Sequence, residues 1–137
     1  MNPIQVVFYQ VPTSEKKILR ITQTVRAHFS QKERFIFFVE DAKAELFLSD
    51  LLWKSPPTSF LPHTISDEPN EAWITITKSK VNINQAEFAF NLCPTPLLLS
   101  GFKKIYDFED TTSPSKQNLS SLRFHEYKNS LYSIQSI

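Results

Sequence analysis

Glycine is almost missing from this chain: Gly101 is the single one among 137 residues. A dinucleotide-binding fingerprint needs three glycines and a phosphate-binding P-loop needs two, because in both the backbone must come close to phosphate. A nucleotide site built in either way is excluded. Cysteine is as scarce. Cys93 stands alone, so an internal disulfide is impossible and no zinc cluster is expected. Charge of one sign does not dominate: 15 Lys plus Arg against 14 Asp plus Glu leave a net +1. That argues against a strongly basic nucleic-acid binder, which needs a cationic surface to neutralise phosphates, while leaving room for a local basic patch. No apolar run approaches the roughly 18 residues of a membrane span; residues 35–39 and 97–99 are the longest candidates. Residues 1–5 lack the basic-then-apolar pattern of a signal peptide. A cytoplasmic protein is the expectation, as a single domain over residues 1–137, a length that suits one core.

What is present is aromatic and apolar periodicity, with twelve Phe. Residues 4–9 are rich in β-formers and read as a first strand. Thr13 or Ser14 can cap a helix with Glu15 in its first turn. Ile18, Ile21, Val25 and Phe29 then mark one apolar face as far as Ser30. Residues 35–39 are apolar throughout, as in a strand buried on both faces. Asp41 can cap a second helix lined on one side by Ala44, Phe47, Leu48, Leu51 and Leu52. Strand, helix, strand, helix within about 50 residues predicts an α/β fold on a mostly parallel sheet with right-handed crossovers. Further strands are expected at residues 73–77, 87–93 and 105–108, with a short one at Phe60 and Leu61. Residues 97–102 are a helical turn or a loop. Ser113-Pro114 starts a last helix reaching about Ser130.

Residues 51–63 hold Trp53, three prolines, Phe60 and His63. The prolines stiffen the segment, so an aromatic slot there loses little entropy on binding; the alternative is that Trp53 caps the core. The last helix also has two readings. At 100° per residue, Lys116, Arg123 and Tyr127 lie within about 40° of one another. Either they face outward as a cationic, aromatic surface over buried Leu119 and Leu122, or Phe124, Tyr127 and Leu131 are buried and the charges are solvated. Periodicity alone slightly favours the second. His63 with Asp67 and Glu68, and Ser59 or Cys93 as nucleophile, can be drawn as a catalytic set, but no nucleophile elbow supports it. His28, His63 and His125 lack metal-ligand spacing. No catalytic residue, metal or cofactor is expected.

Leu52-Trp53, Pro56, Ser59-Phe60 and Pro62-His63, together with Phe8-Tyr9, Glu40-Asp41, Asp107-Phe108 and Tyr127-Lys128, resemble the chi subunit of bacterial DNA polymerase III along nearly the whole chain. The resemblance implies a three-layer Rossmann-like fold, with helices on both faces of the sheet and no nucleotide site. It implies a non-catalytic adaptor that binds the acidic C-terminal tail of the single-stranded-DNA-binding protein. The small psi subunit, or its equivalent in the clamp loader, is the second implied partner. Carried over by position, Trp53, Ser59, Phe60 and His63 fall in the tail-binding corner, and Tyr127 and Lys128 match the C-terminal helix. Lys116 and Arg123 join them on chemistry, as cations for the tail's carboxylates. In this context the outward-facing reading of the last helix moves ahead. Little direct DNA binding and no membrane contact are expected. A divergent nucleotide-handling enzyme and a purely structural subunit remain as alternatives.

Overall fold

The structure, a computed structural model, describes residues 4–54 and 61–137. Ser59 and Phe60, and the strand expected at Phe60 and Leu61, therefore lie wholly or partly outside the described residues. Seven strands form one sheet: β1 (Gln5–Val11), β2 (Phe35–Phe38), β3 (Thr64–Ile65), β4 (Ile74–Thr77), β5 (Phe88–Asn91), β6 (Lys104–Asp110) and β7 (Ser133–Ser136). Their order is β3-β4-β2-β5-β6-β1-β7, and every pairing is parallel. Three helices complete the α/β fold: α1 (Ser14–Ser30), α2 (Ala42–Lys54) and α3 (Pro114–Asn129).

Alternation along the strands splits the core between the two faces of the sheet. Val7, Tyr9 and Val11 of β1 point to one face, where they meet Ile21 and Val25 of α1 and Leu48 and Leu52 of α2. Val6 and Phe8 point to the other, where they meet Tyr127 of α3. Among the described residues, the second face has a single helix. Irregular segments fill the rest of it, with Ile83, Ala86, Leu97 and Phe102 buried where another helix would pack.

The helix starts follow their sequence signals. Thr13 Oγ1 accepts the Lys16 amide at 3.2 Å. Asp41 Oδ1 accepts the Ala44 amide at 2.8 Å, and Ser113 Oγ accepts the Lys116 amide at 3.3 Å. Each satisfies one of the orphan donors of a helix N-terminus. The helix ends carry weaker sequence signals. Both α1 and α3 close in a Schellman motif without glycine. In α1, Glu33 N–H donates to His28 O and Lys32 N–H to Phe29 O. In α3, Tyr132 N–H donates to Tyr127 O and Leu131 N–H to Lys128 O. Lys32 (φ 58°) and Leu131 (φ 64°) take the left-handed conformation that glycine usually fills.

Several expectations change. Of the two alternatives for residues 97–102, the irregular connection is the one that forms. Phe47, expected on the packed side of α2, is exposed. A short strand at Thr64–Ile65 and the edge strand β7 are both additional to the strands expected from the sequence.

Candidate docking cleft and the Trp53 corner

Asp107 sits in β6 and is 1% exposed. It shares the strand face of Ile105, against which α3 packs. A carboxylate there needs charged and hydrogen-bonding partners, and α3 supplies two, Arg123 and Tyr127, from a buried stripe that begins at Ser120 (i, i+3 and i+7). Arg123 Nε donates to Asp107 Oδ1 at 3.2 Å. The guanidinium also donates to the carbonyls of Phe108 and Pro94, at 2.9 and 3.2 Å. Tyr127 O–H donates to Asp107 Oδ2 at 2.8 Å, and its oxygen accepts the Leu97 amide at 3.0 Å. Asn91 Nδ2 donates to the same carboxylate oxygen of Asp107 at 3.0 Å. Burial pushes the Asp107 carboxyl up from its ordinary value, against the pull of Arg123, Tyr127, Asn91 and the Phe108 amide. Burial and the neighbouring Asp107 hold the Tyr127 hydroxyl well above its usual range.

This network overturns the outward-facing reading of the last helix. Arg123 is 6% exposed and Tyr127 fully buried, whereas Leu119 and Leu122 are exposed. The physical reason is Asp107: its cost of burial is offset by turning the arginine and tyrosine inward. The other reading is also only partly right, since Arg123 is not solvated and Leu131 is 84% exposed.

The network forms one wall of a cleft of about 590 Å³ outside the carboxyl ends of β2, β5 and β6. There the connections diverge, from β2 outward to β3 and β4 and from β5 the other way to β6. Open parallel sheets form their binding crevices at such points. Ile21, Val39, Leu48, Leu92 and Phe108 give the cleft an apolar lining, and Phe47 and Leu119 form exposed lips. Lys17, Lys43, Lys116, Glu40, Asp41 and Asp110 also line it. Lys17 is bound to Asp110 at 2.7 Å. Burial alone would raise the Asp110 carboxyl, but the hydrogen bonds from Lys17 and Thr112 outweigh it and hold it below the ordinary carboxylate value.

Trp53 lies elsewhere, in the last turn of α2, and is 58% exposed. Its ring meets that of His63 edge-on, with centroids 6.0 Å apart. His63 is a strut between two segments. Its Nδ1–H donates to the Leu61 carbonyl at 2.7 Å, and Ser49 O–H donates to Nε2 at 2.7 Å in the neutral ring. Lys54, the cation next to Trp53 in sequence, pairs with Asp50 at 3.0 Å. Among the described residues, no group of three or more His, Cys, Asp or Glu could hold a metal ion, and no helix is long and apolar enough to cross a membrane.

The family model described as DNA polymerase III chi subunit, HolC, matches residues 4–135, nearly the whole chain. The chain belongs to the DNA polymerase III chi subunit family. With that membership it is an accessory subunit of DNA replication. None of the curated proteins matches it. Within this chi-family fold the residues singled out from the sequence separate into groups. Trp53 and His63 come together at one end of α2. Lys116 lies on the cleft, as does Lys43 in the first turn of α2, which is ten residues and about 15 Å along the helix axis from Trp53. Arg123 and Tyr127 are inside the protein, and Lys128 is exposed in the last turn of α3. The sequence reading missed Lys43, Phe47 and Leu119 as cleft residues. Only the parallel topology, which brings the first turns of α1, α2 and α3 to one edge, could have flagged them.

Proposed function

We propose that the chain is a non-catalytic adaptor of the replicative polymerase. It binds the acidic C-terminal tail of the single-stranded-DNA-binding protein and psi or an equivalent clamp-loader subunit. Family membership over residues 4–135 carries this reading. The chemistry supports it: an acidic tail ending in an apolar residue needs an apolar slot beside cations, and the chain has exposed apolar side chains at Trp53, Phe47 and Leu119.

The test is titration of the purified chain with the C-terminal peptide of the host's single-stranded-DNA-binding protein, with a charge-neutralised peptide as control. Saturable binding of the acidic peptide alone supports the adaptor. No binding of either sinks it. A divergent nucleotide-handling enzyme is the second reading, favoured by a cleft at the carboxyl ends of parallel strands. Against it, Gly101 precedes β6 and is at the wrong end of a strand to cradle phosphate. Nucleotide binding at micromolar concentration would reverse the order of the two.

A further inference from the structure

The two edges of the sheet are built differently. An edge strand presents unpaired N–H and C=O groups that another strand can join, and natural sheets blunt it with short length, charge or proline. At one edge β3 has only two residues, set among Pro62, Asp67, Glu68 and Pro69. At the other edge β7 has four, and residues 129–137 contain no charged side chain and no proline. The hydrogen bonds of β7 show which of its groups are open. Ser133 N–H donates to Ile4 O at 3.0 Å, and Ile137 N–H donates to Phe8 O at 2.8 Å. Alternate residues therefore face β1. The N–H and C=O groups of Ile134 and Ser136 face the other way, and among the described residues no strand lies there to meet them.

A second β7, antiparallel and related by a two-fold axis, uses every one of these groups in a single register. Ile134 of each copy exchanges both bonds with Ser136 of the other, and the two Gln135 side chains meet at the axis. A two-fold axis also sets the strand against itself, so a charge near the axis would meet a like charge. This edge has none. Gln135 can donate and accept at once. Its Oε1 accepts from Gln5 Nε2 at 3.0 Å, which leaves its own N–H groups for the opposite copy. Leu131 and Ile137, 84% and 49% exposed, add apolar surface on either side.

We propose that β7 is a self-pairing edge: two copies of the chain join antiparallel through it into one sheet continuous across a two-fold axis. The contact is small beside the roughly 1,600 Å² of a standard interface, so the dimer is reversible and governed by concentration. It stands apart from the adaptor reading and does not depend on it.

The test is sedimentation of the full chain over a wide range of concentration, with amide hydrogen exchange at both ends of the range. Wild type should pass from monomer to dimer as concentration rises. Exchange should slow at the Ile134 and Ser136 amides and stay the same at Gln135, which faces β1. Ser136→Pro removes only an outward N–H, a change edge strands tolerate, and should weaken association about tenfold or more. Gln135→Lys and Gln135→Glu should each do the same at low salt, by setting like charges across the axis. An equimolar mixture of those two variants should associate again. Gln135 and Ser136 are exposed, so thermal melts of the variants should match wild type. A wild type that stays monomeric at the highest concentration overturns the proposal. So does association that survives all three substitutions, because the contact then lies elsewhere. If Ile134 and Ser136 gain protection only when purified psi subunit is added, the edge takes a foreign strand and the second copy is the wrong occupant.

Discussion

The residue that reorganises the chemistry of this chain is Asp107. As a carboxylate on a core-facing strand position, it converts Arg123 from a surface cation into half of a buried pair. Removing one partner of such a pair leaves an uncompensated charge, at a cost of about 3–5 kcal/mol. Arg123→Ala should therefore lower the unfolding free energy measured in urea by that much, where a surface arginine would leave it unchanged. Tyr127→Phe removes one donor to Asp107 and the acceptor of the Leu97 amide; a loss of about 1–3 kcal/mol follows from leaving a buried group unsatisfied. His28 gives a pH signature. Burial lowers its pKa below the ordinary 6.5, outweighing the opposing hydrogen bond to Glu33. Tyr106 O–H donates to its Nε2 at 2.7 Å, a bond that needs the neutral ring. The unfolded chain thus takes up the proton first. This contribution to stability is complete above pH 6.5 and is lost as pH falls below it toward the lowered value. Urea midpoints compared between pH 7.5 and 5.5 should fall more in wild type than in His28→Gln; equal slopes would show that the imidazole is not responsible.

At the scale of the element, α1, α2, β2 and the start of α3 were legible because their signals are local. Thr13, Asp41 and Ser113 cap where capping residues are expected, and the all-apolar run from Phe35 is a strand buried on both faces. The buried face of α3 was not legible. Its stripe is Ser120, Arg123 and Tyr127, polar by type and apolar only in part, so a hydrophobic period has nothing to detect. Its partner, Asp107, lies in another element. The strand β7 was missed for a related reason: Ser133 to Ser136 is a mostly exposed edge whose place is set by pairing with β1. The scarcity of glycine has its own effect at the helix ends. Leu131 is 84% exposed and left-handed, a conformation costing a side-chain-bearing residue about 1–2 kcal/mol. Since little packing would be lost, Leu131→Gly should raise stability, by up to about 1 kcal/mol after the entropy cost of glycine. An unchanged or lowered melting temperature would mean that the leucine makes a compensating contact.

At the scale of the molecule, the cleft could be anticipated only as a consequence of parallel topology. The placement of Trp53 and Lys116 at separate locations could not be anticipated, because spacing along a chain does not give distance across a sheet. The same topology governs how the protein is made. The first strand, β1, hydrogen-bonds to β6 and β7, so its backbone partners are synthesised long after it; Gln5 waits for Lys104 and Ser133. At ordinary elongation rates a segment that must wait for about a hundred residues stays unpaired on the order of 5–20 s. During that interval Val6, Val7, Phe8 and Tyr9, all buried in the finished fold, are open to any strand or chaperone that reaches them first. The nascent chain is thus most exposed to misassembly at β1, a hazard that ends only when β6 and β7 have left the ribosome.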